Sequence, residues 1–363
     1  MPYEKIIKLI VSETCKIKES QLIYLKGPLE YYNFLRGLSQ ACFKAGARVD
    51  RFEVVDYLYG YDMHKEGKKT AFLTLPKVKF STFDNIDWFI EIQPNYYYPK
   101  LTPKIEKNKK ADEMVSKGWD GWFGRLTSHN GRFLYINLPT QALAKRLNKD
   151  PDDFDFLFRA LEISPSSLLL TANKYLKMLT GKKRLELVDK KNDYKIKMEL
   201  GTRKWIKSCG NFDKNKYLFA LPGGEIYIAP IEDRTNGELF IEKISVHQEI
   251  IEGLYLKVKN GKIIKFVTKK GGVMLAERIK KLKNYDIIGE FGIGFNPFIK
   301  LCGSYATDEK AQGTCHFGIG RNVMYGGKIE CQQHTDLIKD LRGCELYADD
   351  ELVLKDSKIV GKE

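Results

Sequence analysis

Residues 21–56 read QLIYLKGPLEYYNFLRGLSQACFKAGARVDRFEVVD, and this order of elements limits the fold more than any other stretch of the chain. An apolar strand meets Gly27-Pro28, a helix follows, and Gly46 precedes a second strand. Pro28 is expected to open the helix, where its missing N–H costs nothing, and Gly46 to stop it. Phe34, Leu35, Leu38, Ala41, Cys42 and Ala45 fall on one helical face. Such a βαβ unit commits the first half of the chain to a parallel sheet. IDWFIEIQ, ending at Gln93, reads as a further buried strand, and FLYINLP followed by TQALAKRLN reads as strand then helix.

Beyond Leu170 the pattern changes. Between Leu170 and Lys207, Lys and Arg outnumber Asp and Glu twelve to four, and RLELVDKKNDYKIKMEL alternates as antiparallel strands with one wet face do. Strands dominate from Arg203 onward, with turns expected at Gly223-Gly224, Asn236-Gly237, Asn260-Gly261 and Gly326-Gly327, and a helix at Val273 to Leu282. The expected architecture is an N-terminal α/β domain, residues 1–185, and a β-rich α+β C-terminal domain, residues 186–363, that carries a metal site. A chain of 363 residues is the right length for two such domains.

The net charge of +14 makes an anionic partner thinkable, but the excess is Lys scattered among Glu, so nucleic acid is not the expected partner. One stretch hints otherwise: Tyr96-Tyr97-Tyr98 followed by Lys100, Lys104, Lys107, Lys109 and Lys110. It reads as a wet loop between domains. Seven cysteines at irregular spacing, without a CxxC pair, suit a reducing compartment, and no apolar run approaches the ~20 residues of a membrane span. The expected location is the cytoplasm.

The chemistry concentrates in the C-terminal half. His334 and Asp336 are two apart, so on a strand they share a face. His316 sits in GTCHFGIG among small residues. Glu225 in LPGGEIYIAP and Glu290 in IGEFGIGFNP are single acids in apolar, Gly-framed stretches, costly to bury without a compensating cation. Asp233 and Glu309 lie near them in sequence. Carboxylates with two imidazoles suit Zn²⁺, Co²⁺, Mn²⁺ or Fe²⁺, and more than four candidate ligands suggest two ions sharing a carboxylate.

LPGGEIYIAPIEDRTNGEL, IIGEFGIGFNP, DEKAQGTCHFGIG, HTDLI and ELYADDELVLKD resemble, in order, the signature blocks of the thermophilic metallo-aminopeptidases, also called the leucyl aminopeptidase T family or peptidase family M29. The resemblance is strongest from about Arg203 to Lys355. It implies a dinuclear site of Zn, Co or Mn, with Glu225, Glu290, His316, His334 and Asp336 on the metal positions and Glu309 on a further acidic one. It also implies peptide substrates and a homodimer. Glu290 or Glu309 is the expected general base. The family tyrosine seven residues after the first His is Val323 here, with Tyr325 two residues on as its candidate replacement, and the family Trp between His and Asp is Thr335. Two alternatives stand beside the peptidase. A related ring-cleaving dioxygenase would use a mononuclear iron site of His316, His334 and Asp336. A non-enzymatic nucleic-acid binder would use the basic surface.

Overall fold

The computed structural model describes residues 3–73, 82–93, 98–100, 102–115, 118–246 and 249–360. The chain divides into two compact units: Met1–Pro165 with Gly210–Pro222, and Ser166–Cys209 with Gly223–Glu363. The division expected near 185 thus differs from the observed one in two ways. The helix Pro165–Leu179 belongs almost wholly to the second unit, where Tyr175 stacks on Phe295. The segment Gly210–Pro222 returns to the first unit because it carries a strand of that unit's sheet.

The first unit is built on a parallel sheet of β1 (Leu22–Pro28), β2 (Arg48–Val55), β3 (Trp88–Ile92), β4 (Arg132–Ile136) and β8 (Leu218–Leu221), in the order β2-β1-β3-β4-β8. The expected helix runs Tyr32–Lys44 and buries Phe34, Leu35, Leu38 and Cys42, and Gly46 takes a φ of +82° just after it. Pro28 does not open the helix. With ψ at 151° it is extended and ends β1, and a 3₁₀ turn, Leu29–Tyr31, comes between. The lysine-rich stretch is a helix, Pro103–Val115, and not a loop. Ile105, Asn108 and Ala111 are buried at helical spacing while Lys104, Lys107 and Lys110 face solvent. Tyr96 and Tyr97 lie outside the described residues.

The second unit holds two antiparallel sheets. The larger contains β5 (Arg184–Asp189), β6 (Tyr194–Glu199), β10 (Thr235–Val246), β11 (Glu249–Lys259), β12 (Lys262–Val267), β16 (Cys344–Ala348), β17 (Glu351–Lys355) and β18 (Lys358–Ile359). Its order is β12-β11-β10-β6-β5-β16-β17-β18. The smaller is β15-β14-β13-β9-β7, from β7 (Ile206–Ser208), β9 (Glu225–Ile228), β13 (Ile288–Gly294), β14 (Thr314–Gly320) and β15 (His334–Asp340). Asn260-Gly261 turns between β11 and β12 as expected, and the helix Val273–Lys281 is present. Asn236-Gly237 is no turn: it lies inside β10, where Gly237 pairs with both Ile196 and Val258. A Cβ at Gly237 would stand 2.3 Å from the Lys195 carbonyl oxygen, so glycine here admits a neighbouring backbone. All seven cysteines are free and buried, and among the described residues no helix is long and apolar enough to cross a membrane.

On the inner face of β15, buried Lys339 places its ammonium 2.7 Å from Asp189 and 3.2 Å from Glu242. Burial alone would raise the Asp189 carboxyl, but the hydrogen bond and charge of Lys339 together with the hydrogen bonds from Asn192 outweigh it and hold the group below its ordinary 3.8. Its stabilising contribution is therefore present above that pH and lost as pH falls through the lower folded value. Lys339→Met leaves the acid buried without its partner and is expected to cost about 3–5 kcal/mol at neutral pH. Urea melts of both proteins check this, and the gap should narrow in acid; a difference below about 1 kcal/mol at pH 7 would mean the pair is effectively solvated.

Candidate metal centre

Strand register assembles the site. Across the smaller sheet, Glu290 pairs with Gly318 and Gly318 with Asp336; Gly292 pairs with His316; Gly294 pairs with Glu225; and Gly320 pairs with His334. Residues that pair across a ladder, and those two apart along a strand, share a face. Glu225, Tyr227, Glu290, His316, His334 and Asp336 therefore all project from one side. The alternate positions, Ile226, Ile228, Phe291, Ile293, Phe317, Ile319 and Leu337, form the buried apolar side. Each strand contributes chemistry from one face and cohesion from the other.

Glu290 is central. Its Oε1 lies 3.1 Å from His316 Nε2 and its Oε2 lies 3.6 Å from His334 Nε2. His334 Nε2 is also 3.0 Å from Asp336 Oδ1, and His316 Nε2 is 3.7 Å from Glu225 Oε2. Donor atoms about 2.0–2.2 Å from a tetrahedral cation stand about 3.3 Å apart, which is the scale of the contacts each histidine makes. Glu290, His334 and Asp336 bring their ligand atoms within 4.8 Å of one another, the one trio among the described residues that does. His334 Nδ1 lies 2.8 Å from the Arg321 carbonyl oxygen and donates to it, which leaves Nε2 as the basic nitrogen facing the site. Buried Glu290 Oε2 has no hydrogen-bond partner among the described residues. A cation would supply what that oxygen lacks.

The glycines of the sheet make the room. A Cβ on Gly292 would stand 2.1 Å from His316 Nε2, and one on Gly318 would stand 2.5 Å from His334 Cε1 and 2.7 Å from Glu290 Cβ. Gly318→Ala is expected to push His334 aside and weaken metal binding about 10–100-fold, the range seen when the support of a ligating histidine is lost. Equilibrium dialysis with Zn²⁺ or Mn²⁺ measures it; unchanged affinity would mean that the imidazole is not a ligand.

The ion-free electrostatics are those of a cation trap. Burial opposes charge on both imidazoles, but the hydrogen bond His316 donates to Glu290, with the Asp336 and Glu225 carboxylates, raises His316 to about 9, and Asp336 with Glu290 raises His334 to about 10. Burial pushes Glu290 up, and pushes Glu309 well above the carboxylate range. Asp336 is held far below its ordinary value: burial raises it, but His334, with the His316 charge and a hydrogen bond from Glu309, more than reverses that.

The chain matches the model of the family described as thermophilic metalloprotease (M29) over residues 2–337. It belongs to that family. Membership implies a divalent metal, and a Glu/His/Asp cluster able to hold one is present. This M29 chain is also similar in structure to wild-type AmpT from Thermus thermophilus, with a TM-score of 0.76 at 14% identity over 99% of both chains. A 2,5-dihydroxypyridine dioxygenase from Pseudomonas putida KT2440 matches with a TM-score of 0.64 at 15% identity, over 99% of this chain and 97% of the other. No curated protein sequence matches the chain.

Each acid and histidine singled out in the M29 sequence blocks lies in this cluster except Asp233, which is exposed beside Arg234. Glu309 comes from outside the sheet, pairs with Lys310 and lies within hydrogen-bonding reach of Asp336. Tyr325 packs edge-on against His334 and Tyr227, ring centroids 5.3 and 5.1 Å away. Its loop is fastened by Asn322, whose carbonyl accepts from the Tyr325 and Gly327 amides, and by Glu232, which accepts from the Lys328 amide and from Arg203. Thr335, between the two site residues of β15, faces away from the site, with its hydroxyl 2.6 Å from the Tyr285 hydroxyl.

Two residues escape sequence reading. Tyr227 is two places after Glu225, and the same i, i+2 rule that pairs His334 with Asp336 would have found it. Lys310 is fully buried, 3.3 Å from Glu225 Oε1 and bonded to Glu309 and to the Ala306 carbonyl. No local signal marks it, since a lysine after an acid is ordinarily on the surface.

Proposed function

We propose that the chain is a metal-dependent aminopeptidase that removes N-terminal residues from peptides at a dinuclear site. The supporting observation is charge. Glu225, Glu290, Glu309 and Asp336 are all buried around one permanent cation, Lys310, among the described residues. With both imidazoles neutral, as ligation requires, and all four carboxyls ionised, three negative charges remain for bound cations to match. One divalent ion leaves a single negative charge, whereas two leave a single positive one, the sign a developing oxyanion needs opposite it. Glu290, Asp336 and His334 would hold one ion; Glu290, Glu225 and His316 would hold the other. Once bound, such a pair polarises the scissile carbonyl and acidifies the attacking water.

Glu290 turns one oxygen to each histidine, which suits it to be a shared ligand, and Glu309 would then serve as the proton acceptor. Glu309 takes the proton of the attacking water and returns it to the departing amine, and its raised carboxyl suits an acid–base residue that must carry a proton near neutral pH. Tyr325, against His334, donates its phenol hydrogen to the carbonyl oxygen as that oxygen becomes negative. Tyr325→Phe is then expected to lower kcat about 100-fold with little change in KM. A change below about threefold would make the ring a packing residue only.

A panel of aminoacyl p-nitroanilides with Co²⁺, Mn²⁺ or Zn²⁺ tests the activity. Release is expected from free amines and not from their N-acetylated forms. No release from any substrate would overturn the peptidase reading. Oxygen uptake with Fe²⁺ and a dihydroxypyridine would replace it with the dioxygenase, although the closed trio contains one histidine rather than two. The homodimer implied by the family resemblance is part of this proposal, and a monomer in sedimentation would remove it.

A further inference from the structure

The two clusters that share Glu290 are not equivalent. At the first, His334 is fixed through its Nδ1 by the Arg321 carbonyl, and three ligand atoms already converge within 4.8 Å. At the second, His316 Nδ1 is buried with no hydrogen-bond partner among the described residues, so nothing on that side sets the tilt of the ring. Glu225 is divided as well. Its Oε2 faces His316 at 3.7 Å, while its Oε1 is engaged by the Lys310 ammonium at 3.3 Å. Lys310 is 0% exposed, so neither solvent nor salt screens its charge from an ion on the other oxygen of the same carboxylate.

We propose that the Glu290, His334 and Asp336 position is the high-affinity, permanently filled one, and that the Glu225, His316 and Glu290 position is a weak, exchangeable one held down by Lys310. The inference rests on the two-ion reading above and adds regulation to it. The chain would be inactive or feebly active with one ion, and its activity would follow the free concentration of the second. Lys310 has a constructive role in the same arrangement. Its ammonium contacts both Glu225 and Glu309, so a cation stands between the two carboxyl groups while the second position is empty.

Calorimetric titration of the metal-stripped full chain with Mn²⁺ or Zn²⁺, with ions counted per chain by elemental analysis, tests the proposal without reference to turnover. The wild type should show two classes of site separated by at least about 10-fold in affinity, the scale of an orienting contact to a ligating imidazole. Asp336→Ala should abolish the tight class, His316→Ala should abolish only the weak class, and both should keep the circular dichroism of the parent. Lys310→Met should tighten the weak class and narrow the gap. If that variant does not fold, the two ligand variants decide alone. Two equal affinities in the wild type, or loss of the tight class on His316→Ala, would overturn the inequality and leave the two-ion reading standing. A single class at one ion per chain, unchanged in His316→Ala and Lys310→Met, would overturn both.

Discussion

Glu290→Gln is expected to lower kcat at least about 100-fold while the chain stays folded, the loss of one fixed charge at a reacting centre being worth about 2.7–4 kcal/mol. The amide preserves the volume, and the side chain occupies a position whose strand neighbours, Phe291 and Ile293, face the opposite, apolar side. Cohesion of the sheet is thus little disturbed. The two carboxylate oxygens face different imidazoles, at 3.1 and 3.6 Å, so an amide must turn its NH₂ group toward one cation position whichever way it flips. It also removes a negative charge that both positions share. Steady-state kinetics with metal content and a thermal melt on the same preparation check this. More than a third of wild-type kcat, with two ions retained, would show that Glu290 is not the bridging ligand.

Uptake of metal is expected to release protons and to strengthen steeply with pH. In the ion-free chain both histidines titrate far above their ordinary 6.5, at about 9 for His316 and about 10 for His334. Imidazolium cannot ligate, so at pH 7 each cluster must lose a proton before a cation enters. Apparent affinity should rise roughly 10-fold per pH unit for each displaced proton, and level off above about 9 at one position and about 10 at the other. Stability runs the other way. A folded value raised above 6.5 stabilises the ion-free chain fully below about pH 6.5, and that contribution is lost as pH rises through 9 to 10. The stabilisation conferred by saturating metal should therefore be smallest in mild acid. Melting with and without Zn²⁺ at pH 6, 7.5 and 9, with proton release followed in buffers of different ionisation enthalpy, measures both trends. An affinity independent of pH over that range would mean that the histidines are neutral in the empty site or are not ligands.

What local sequence determined is whatever a few neighbouring residues settle among themselves. The βαβ start, the alternation of β5 and β6, the turn at Asn260-Gly261 and the shared face of His334 and Asp336 follow from periods of 3.6 and 2 and from glycine's access to positive φ. The acids in Gly-framed apolar runs are legible for a related reason, since a charge there must be compensated wherever the strand lies. Tertiary structure decided the rest. Asn236-Gly237 has a turn composition but becomes mid-strand because its partners Ile196 and Val258 are distant in sequence. Pro28 suits a helix start, yet pairing with Val55 draws it into β1. The segment Gly210–Pro222 leaves its sequence neighbours because the parallel sheet of the first unit takes Leu218–Leu221 as its last strand. Convergence of Glu225, Glu290 and His316 depends on the register of three strands, which no single segment encodes. Lys310 is the extreme case: its burial is fixed by Glu225, 85 positions earlier in the chain, because only a partner of opposite charge makes a buried ammonium tolerable.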